Sequence, residues 1–270
     1  MNTTIFGGSP YLIELLTPRQ STQDIDAALE RFGSRYGRIL DYGAVVSVPD
    51  NPMGHLHFTA LEVVQYLDLR VPPESLLIHL NTFHRKADLD QFLNEARERG
   101  VRYLLCVSGD GGPRLPKLDP ADLGQPGEAA TSVGLLSYIH REHPGAFTLG
   151  VAFNQYEPAE HELRKLEEKL DAGASFIVTQ PVVGPSPEVA DLERYGLPVY
   201  AGAWMSRKIA LLSECVGYPI EGEHATGYDP LQNLREIRGT YPDYGTYLSL
   251  LSHEADWGEI IPRHALAGAR

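Results

Sequence analysis

Cysteine is scarce in this 270-residue chain: Cys106 and Cys215 are the only two. That is too few for a disulfide framework, so a reducing, cytoplasmic setting is expected. Long apolar runs are missing too. No run reaches about 18 residues, and no basic N-terminal region leads into an apolar segment, so neither a membrane span nor a secretory leader is expected. Positive charge is in short supply, with 23 Lys and Arg against 36 Asp and Glu and a net charge of −13. Such a balance argues against sequence-independent binding to nucleic acid or to an anionic membrane. There is no phosphate-cradling Walker loop, no GxGxxG after a first strand, no GxSxG elbow and no HExxH. His55, His57, His79 and His84 lack the spacing or cysteine partners of a zinc site, so no metal is expected. Linkers and low-complexity segments are also absent.

With 43% hydrophobic residues the chain can bury a sizeable core. Its most informative stretch runs from Phe147 to Val183. Two β-rich apolar runs, 147–153 and 176–183, flank a charged segment in which Leu163, Leu166 and Leu170 recur at helical spacing. Pro158 suits the start of that helix and Gly173 its end. A strand, a helix and a strand in this order join parallel strands by a crossover. The pattern repeats along the chain. Strands are expected at 11–16, 44–48, 75–82, 101–107, 197–203 and 246–251, besides the two already placed. Helices are expected from Ser21 or Thr22 to about Tyr36 and near 58–69, 87–99, 128–142, 187–195, 207–216, 230–238 and 254–260. Residues 111–127, rich in Pro and Gly, form the longest loop. Eight β-α units without a break in composition predict an α/β protein, a single TIM-type (β/α)8 barrel over residues 1–270, its last unit the least regular.

Such barrels carry their chemistry where the strands end. Glu14 lies in a strand expected to be buried on both faces, and burial raises a carboxyl pKa into the range of a general acid; a structural pairing with Arg or Lys is the alternative. Asp110 leaves the fourth strand in a Ser-Gly-Asp-Gly-Gly loop where Gly109 lets backbone approach a ligand, although Gly-Asp-Gly is also an ordinary turn. Gln180 ends the sixth strand with an amide able to donate and accept. His79 is a polar group near the barrel top. Tyr138, Trp204, Tyr241, Tyr244 and Tyr247 are able to stack on a planar ligand, though core packing is the commoner use of aromatics.

From Tyr11 to Lys208 these residues form a pattern that resembles the methylenetetrahydrofolate reductase family. The matching motifs are IELLTPR, VSVPDNP, HLN at 79–81, GVRYLLCVSGD at 100–110, GVAFNQYEP, and LEEKLDAGASFIVTQPVV. The resemblance implies a barrel that reduces 5,10-methylenetetrahydrofolate to 5-methyltetrahydrofolate with NADH or NADPH, normally through bound FAD. It further implies that Glu14 assists the protonation opening the bridged folate. Asp110 would sit near flavin and folate, and Gln180 would contact the folate. His79, Asp50, Asn51, Gly109 and Asn154 fall at cofactor positions.

The chain also departs from the family. Pro49 stands where many members have a flavin-binding Thr. The loop Asn154–Pro158 is short and lacks the basic residues of longer forms. AGAWMS replaces a proline-containing turn after the seventh strand, and residues beyond 218 match poorly. Some relatives pass hydride from NADH to the folate without flavin, which makes a flavin-free route the alternative. Action on another C1 carrier and a role as a non-catalytic partner subunit stay open beside it. Barrels of this kind commonly associate, so a homo-oligomer is compatible with the reading.

Overall fold

Each apolar run becomes a strand, and each strand pairs in parallel with the next. The computed structural model describes residues 5–222 and 225–261; the remainder of the expected 1–270 domain lies outside the described residues. The strands are β1 (Tyr11–Glu14), β2 (Val45–Val48), β3 (Leu76–Leu80), β4 (Tyr103–Cys106), β5 (Thr148–Phe153), β6 (Phe176–Pro181), β7 (Val199–Trp204) and β8 (Gly245–Ser249). They close into a barrel in chain order, and β8 returns to β1 through Tyr11↔Thr246, Leu12↔Tyr247 and Ile13↔Leu248. Closure leaves no unpaired sheet edge.

Helices fill the crossovers: α1 (Ile25–Asp41), α2 (Ala60–Tyr66), α3 (Lys86–Glu98), α4 (Ser132–Glu142), α5 (Ala159–Asp171), α6 (Pro187–Ala190), α7 (Ile209–Val216), α8 (Pro230–Thr240) and α9 (Trp257–Ile260). Several boundaries differ from the sequence expectation for local reasons. Asp24, not Ser21 or Thr22, caps α1, its carboxylate accepting from the Ala27 N–H. The same helix continues past Tyr36 because Ile39 extends its buried face. Helix α4 starts at Ser132 rather than near 128, where the Thr131 hydroxyl accepts from the Gly134 N–H. Helix α2 is shorter than expected and is opened by a reciprocal Thr59–Glu62 capping box. Leu89, Leu93 and Ala96 of α3 are buried, and Phe92 beside them is half-buried.

Two apolar layers result. Outward-facing strand residues such as Ile13, Val46, Ile78 and Val151 pack under the helices. Inward-facing Leu12, Val45, Leu77, Leu105, Phe176, Val178 and Tyr200 fill the lumen. Phe6 plugs the end where the strands begin, 4.2 Å from Tyr103, 5.3 Å from Phe176 and 5.5 Å from Tyr200 between ring centroids. Gly150 makes room for this layer, because a Cβ there would lie 2.1 Å from the Phe176 ring. With the lower lumen filled, open space remains at the strands' C-terminal ends.

Candidate active site

A cavity of about 1590 Å³ occupies that upper end. Pockets for one drug-sized ligand run to about 1,000 Å³, so this one has room for two molecules side by side. Glu14 lies on its wall at the end of β1, with Ser47 of β2 as its register partner. The Tyr247 hydroxyl donates to Glu14 Oε2 at 2.8 Å. Burial raises the Glu14 pKa, outweighing the Tyr247 hydrogen bond and a backbone hydrogen bond from Leu250, both of which favour the charged form. A carboxyl so placed keeps its proton to higher pH than a solvated one. Burial, with the Glu14 charge and hydrogen bond adding to it, holds the Tyr247 phenol well above its ordinary range. His79, one strand further, places Nε2 2.9 Å from Ser47 Oγ. Burial pulls its pKa down to about 4 against the opposing charge of Asp50, so at neutral pH the ring is uncharged.

The loops after β2, β3 and β4 form one interlocked rim. Asp50 accepts from Asn51 Nδ2 at 2.9 Å, from the Asn81 N–H at 3.1 Å and from His84 Nε2 at 2.6 Å. Burial opposes charge on His84, but the hydrogen bond and charge of Asp50, with Asp88 behind it, raise its pKa. Asn51 adopts the left-handed region at φ 46° and accepts from the His57 N–H at 2.8 Å. Asp110 is exposed and accepts from the Met53 N–H at 3.0 Å. Gly54 and Gly112 cross back to back: a Cβ on either would come within 2.3 Å of the other loop's backbone oxygen. Those glycines let the Asp110 loop close over the β2 loop.

Across the barrel, the β6–β7 register shifts between Val178 and Pro181. The Thr179 hydroxyl bridges the irregularity, accepting from the Gly202 N–H at 2.9 Å and donating to the Gln180 carbonyl at 2.7 Å. Next to it the Gln180 side chain lines the cavity, with no hydrogen-bond partner among the described residues. The Trp204 Nε1–H on the same wall is buried and equally unpartnered. The half-buried Gln180 amide, able to donate and accept, suits a polar, planar ligand, whereas the Trp204 N–H is sealed within the wall.

A lateral arm of the cavity runs between α4 and α5, lined by Arg141, Arg164 and Lys165 and, deepest, by Lys169. Lys169 Nζ donates to the Ala152 carbonyl at 2.7 Å and lies 3.4 Å from Glu162 Oε1, which also accepts from the Asn154 N–H. Burial lowers the Lys169 pKa by more than Glu162 restores it.

The structure therefore brings Glu14, His79, Asp50, Gly109, Asp110, Asn154 and Gln180 to the walls of one cavity. Asn51 stands behind that wall with its amide committed to Asp50 and His57. Of the aromatics, Trp204 and Tyr247 line the cavity. The others are structural: Tyr138 bonds Asp90 and Lys86, Tyr241 bonds Ser186, and Tyr244 bonds the Val189 carbonyl. Sequence reasoning missed Ser47, Glu162 and Lys169. The inward face of α5 holds the expected Leu163, Leu166 and Leu170, and Glu162 and Lys169 are buried beside Leu166. Their signal was present, since an acid and a base at i and i+7 flank a central Leu on one helical face. No group of three or more His, Cys, Asp or Glu side chains placed to hold a metal ion occurs among the described residues. No helix among those residues is long and apolar enough to cross a membrane.

Comparison with known proteins identifies the family of the chain. The family model for methylenetetrahydrofolate reductase matches residues 12–185, from β1 into the loop after β6. Methylenetetrahydrofolate reductase 2 of Schizosaccharomyces pombe is 34% identical over 107 residues, a match that spans 35% of this chain and 16% of the yeast protein. Among solved structures, a 7,8-dihydropteroate synthase from Vibrio fischeri superposes with a TM-score of 0.52 at 13% identity, covering 98% of this chain and 94% of that one. A dihydropteroate synthetase in complex with product superposes with a TM-score of 0.51 at 15% identity, covering 97% and 94%. At these identities the two structures speak for the barrel alone.

Proposed function

The chain belongs to the methylenetetrahydrofolate reductase family, and we propose that it reduces 5,10-methylenetetrahydrofolate to 5-methyltetrahydrofolate at the expense of NADH or NADPH. The observation that carries this reading is Glu14, a half-buried carboxyl with a raised pKa at the wall of a cavity large enough for folate and hydride donor together.

The chemistry needs a proton before it needs a hydride. Protonation of the bridging N10 breaks its bond to the methylene carbon and leaves a 5-iminium cation; hydride addition to that carbon then yields the methyl group. Glu14 supplies the proton, and burial, by raising its pKa, keeps it loaded to higher pH than a solvated carboxyl. The Gln180 side chain, which lines the cavity, offers the pterin an amide able to donate and accept. Asp110, exposed at the rim, leaves a negative charge near the iminium as it forms. The filled lumen below and the interlocked rim keep water from the reacting carbon.

FAD would supply a carrier that accepts hydride from the nicotinamide and hands it to the folate. The α4–α5 side of the cavity suits it, because Arg141, Arg164 and Lys165 there offer cations to a diphosphate. One observation favours direct transfer from NADH instead. Lys169, the deepest cation of the arm, is already neutralised by Glu162, and Pro49 offers no hydroxyl on the opposite wall.

One experiment addresses both routes. The purified chain is given NADH and methylenetetrahydrofolate, with and without FAD, while absorbance is followed. A flavin band bleached by NADH and restored by the folate is the expected result. A colourless protein that oxidises NADH only with folate, indifferent to FAD, establishes the direct route. Absence of NADH oxidation in every arm overturns the proposal.

A further inference from the structure

Tyr247 stands between the acid and a second pair of polar groups. Its hydroxyl donates to Glu14 Oε2 at 2.8 Å, and the Ser47 side chain lies within hydrogen-bonding reach of the same phenol. Ser47 Oγ in turn lies 2.9 Å from His79 Nε2, and the His79 and Tyr247 rings are 6.0 Å apart, tilted by 38°. Ser47 is fully buried and Tyr247 nearly so, which keeps water from substituting for any link.

The direction of this chain follows from one choice, the tautomer of His79. Tyr247 and Ser47 have one donor hydrogen each, and a neutral imidazole has one. Tyr247 commits its hydrogen to Glu14. With the His79 hydrogen on Nε2, the ring donates to Ser47 Oγ, and the Ser47 hydrogen is left for the Tyr247 oxygen. In that tautomer every donor in the chain points toward the carboxyl. Leu250 adds a backbone N–H from the end of β8, and it does so at φ 55°, a region costly for leucine.

We propose that Tyr247 is the positioning residue of Glu14: the donor chain from His79 through Ser47 to Tyr247 ends on the carboxyl and holds it for proton transfer into the cavity. This rests on the reading of Glu14 as the acid. The chain stabilises the carboxylate left after transfer and so counters the burial that makes the group reluctant to release its proton. Without Tyr247 the acid holds its proton more tightly.

The charged and titratable groups facing Glu14 are few. Tyr247 comes from β8, and His79 from β3 with Asp50 and its His84 partner beyond it. Asp110 comes from the β4 loop, and Cys215 from α7, its thiol pushed up to about 11 by burial and by the charges of Glu14, Glu214 and Asp110. A shift of the Glu14 titration on removing one phenol is therefore readable against a nearly constant background.

The test compares Tyr247→Phe, Ser47→Ala and Glu14→Gln. In Tyr247→Phe the alkaline limb of the kcat–pH profile is expected to move up by about one pH unit, the worth of one hydrogen bond to a charged group. Ser47→Ala should move it the same way by less. A purely structural role changes KM or Tm and leaves the limb in place. Carboxyl NMR of the 13C-glutamate-labelled protein, with the Glu14 signal identified by its loss in Glu14→Gln, reads the same shift without turnover. Inactive Glu14→Gln with an unmoved limb and an unmoved signal in the other two variants overturns the proposal and leaves the acid reading standing. Full turnover in Glu14→Gln overturns the acid reading, and the NMR titration still decides whether Tyr247 governs the carboxyl. Should Tyr247→Phe fail to fold, the Ser47→Ala shift decides, and its absence overturns the proposal.

Discussion

At the lower end of the barrel the Phe6 ring sits against Tyr103, Phe176 and Tyr200, and each polar handle in the group is used inside the protein. Tyr103 accepts from the Phe6 N–H, and Tyr200 donates to the Ser9 carbonyl. At the upper end Tyr247 donates to a carboxyl whose charge is costly to bury, while Gln180 and the Trp204 N–H find no protein partner among the described residues. The aromatic plug of one end has used its hydroxyls by closing on itself. The other leaves the Gln180 amide on the cavity wall and carries an acid held against its preference, as a site preorganised for a ligand must. Stability and chemistry are thus separated along the barrel axis, and substitutions at the two ends should fail in different ways.

The largest effect belongs to the upper end. Glu14→Gln keeps the shape of the carboxyl and its acceptor for Tyr247 but carries no transferable proton. Its kcat is expected to fall by about 10²–10⁴-fold with the fold intact, as steady-state NADH oxidation and circular dichroism report together. Turnover at the wild-type level breaks the comparison at its upper half.

At the lower end Phe176→Ala empties the space between Phe6 and Gly150. A cost of about 3–5 kcal/mol is expected for removing a fully buried aromatic ring, read as a lower denaturant midpoint with little change in slope. The kcat of the surviving folded fraction should match wild type. If turnover instead collapses at unchanged stability, the two ends are coupled and the separation fails.

The arm between α4 and α5 tests the comparison from a third side. Lys169→Met leaves Glu162 buried beside an apolar chain, and breaking such a pair costs about 3 kcal/mol. Because Glu162 also holds the Asn154 N–H at the β5 end, this variant should lose stability and raise the nicotinamide KM together. A change in stability alone would assign the pair to the barrel rather than to the site.

The difference between the ends also explains what the sequence made legible. The strand runs and their crossovers are long, periodic signals, so eight β-α units and a parallel barrel were readable, with errors confined to element ends such as the Asp24 cap. Glu14 was legible because a carboxylate in a strand buried on both faces violates the pattern around it. Its partners were not. Tyr247 could be named only as one of five aromatics, because nothing local distinguishes a phenol that reaches a carboxyl 233 residues away. Ser47 sits within an apolar strand where a small hydroxyl breaks no rule, and its register opposite Glu14 exists only once β1 and β2 pair. Glu162 and Lys169 look like a solvated charged face until Leu166 shows which side of α5 is inward. Violations of pattern are visible one residue at a time; the groups that satisfy them come from other strands.

The smallest effect is the most direct measure of what the acid costs. An ordinary Glu carboxyl releases its proton near pH 4.5, whereas in the folded protein burial raises that point. Below pH 4.5 both folded and unfolded chains hold the proton, and Glu14 contributes nothing. As pH climbs past 4.5 the unfolded chain gives up its proton while the folded chain keeps it, so the folded state binds more protons and loses stability with rising pH. Above the folded pKa the loss stays constant. Glu14→Gln removes this term, so its Tm relative to wild type should rise between pH 4 and pH 8 in paired calorimetric scans. Phe176→Ala, with no titrating group, should show the same Tm deficit at both pH values. His79, neutral down to about pH 4, lowers stability as pH falls from its ordinary value, but it does so equally in wild type and in both variants and cancels from the differences. A Glu14→Gln difference that ignores pH would mean the carboxyl is no more reluctant to ionise than one in water, and the contrast between a closed lower end and a strained upper one would lose its energetic basis.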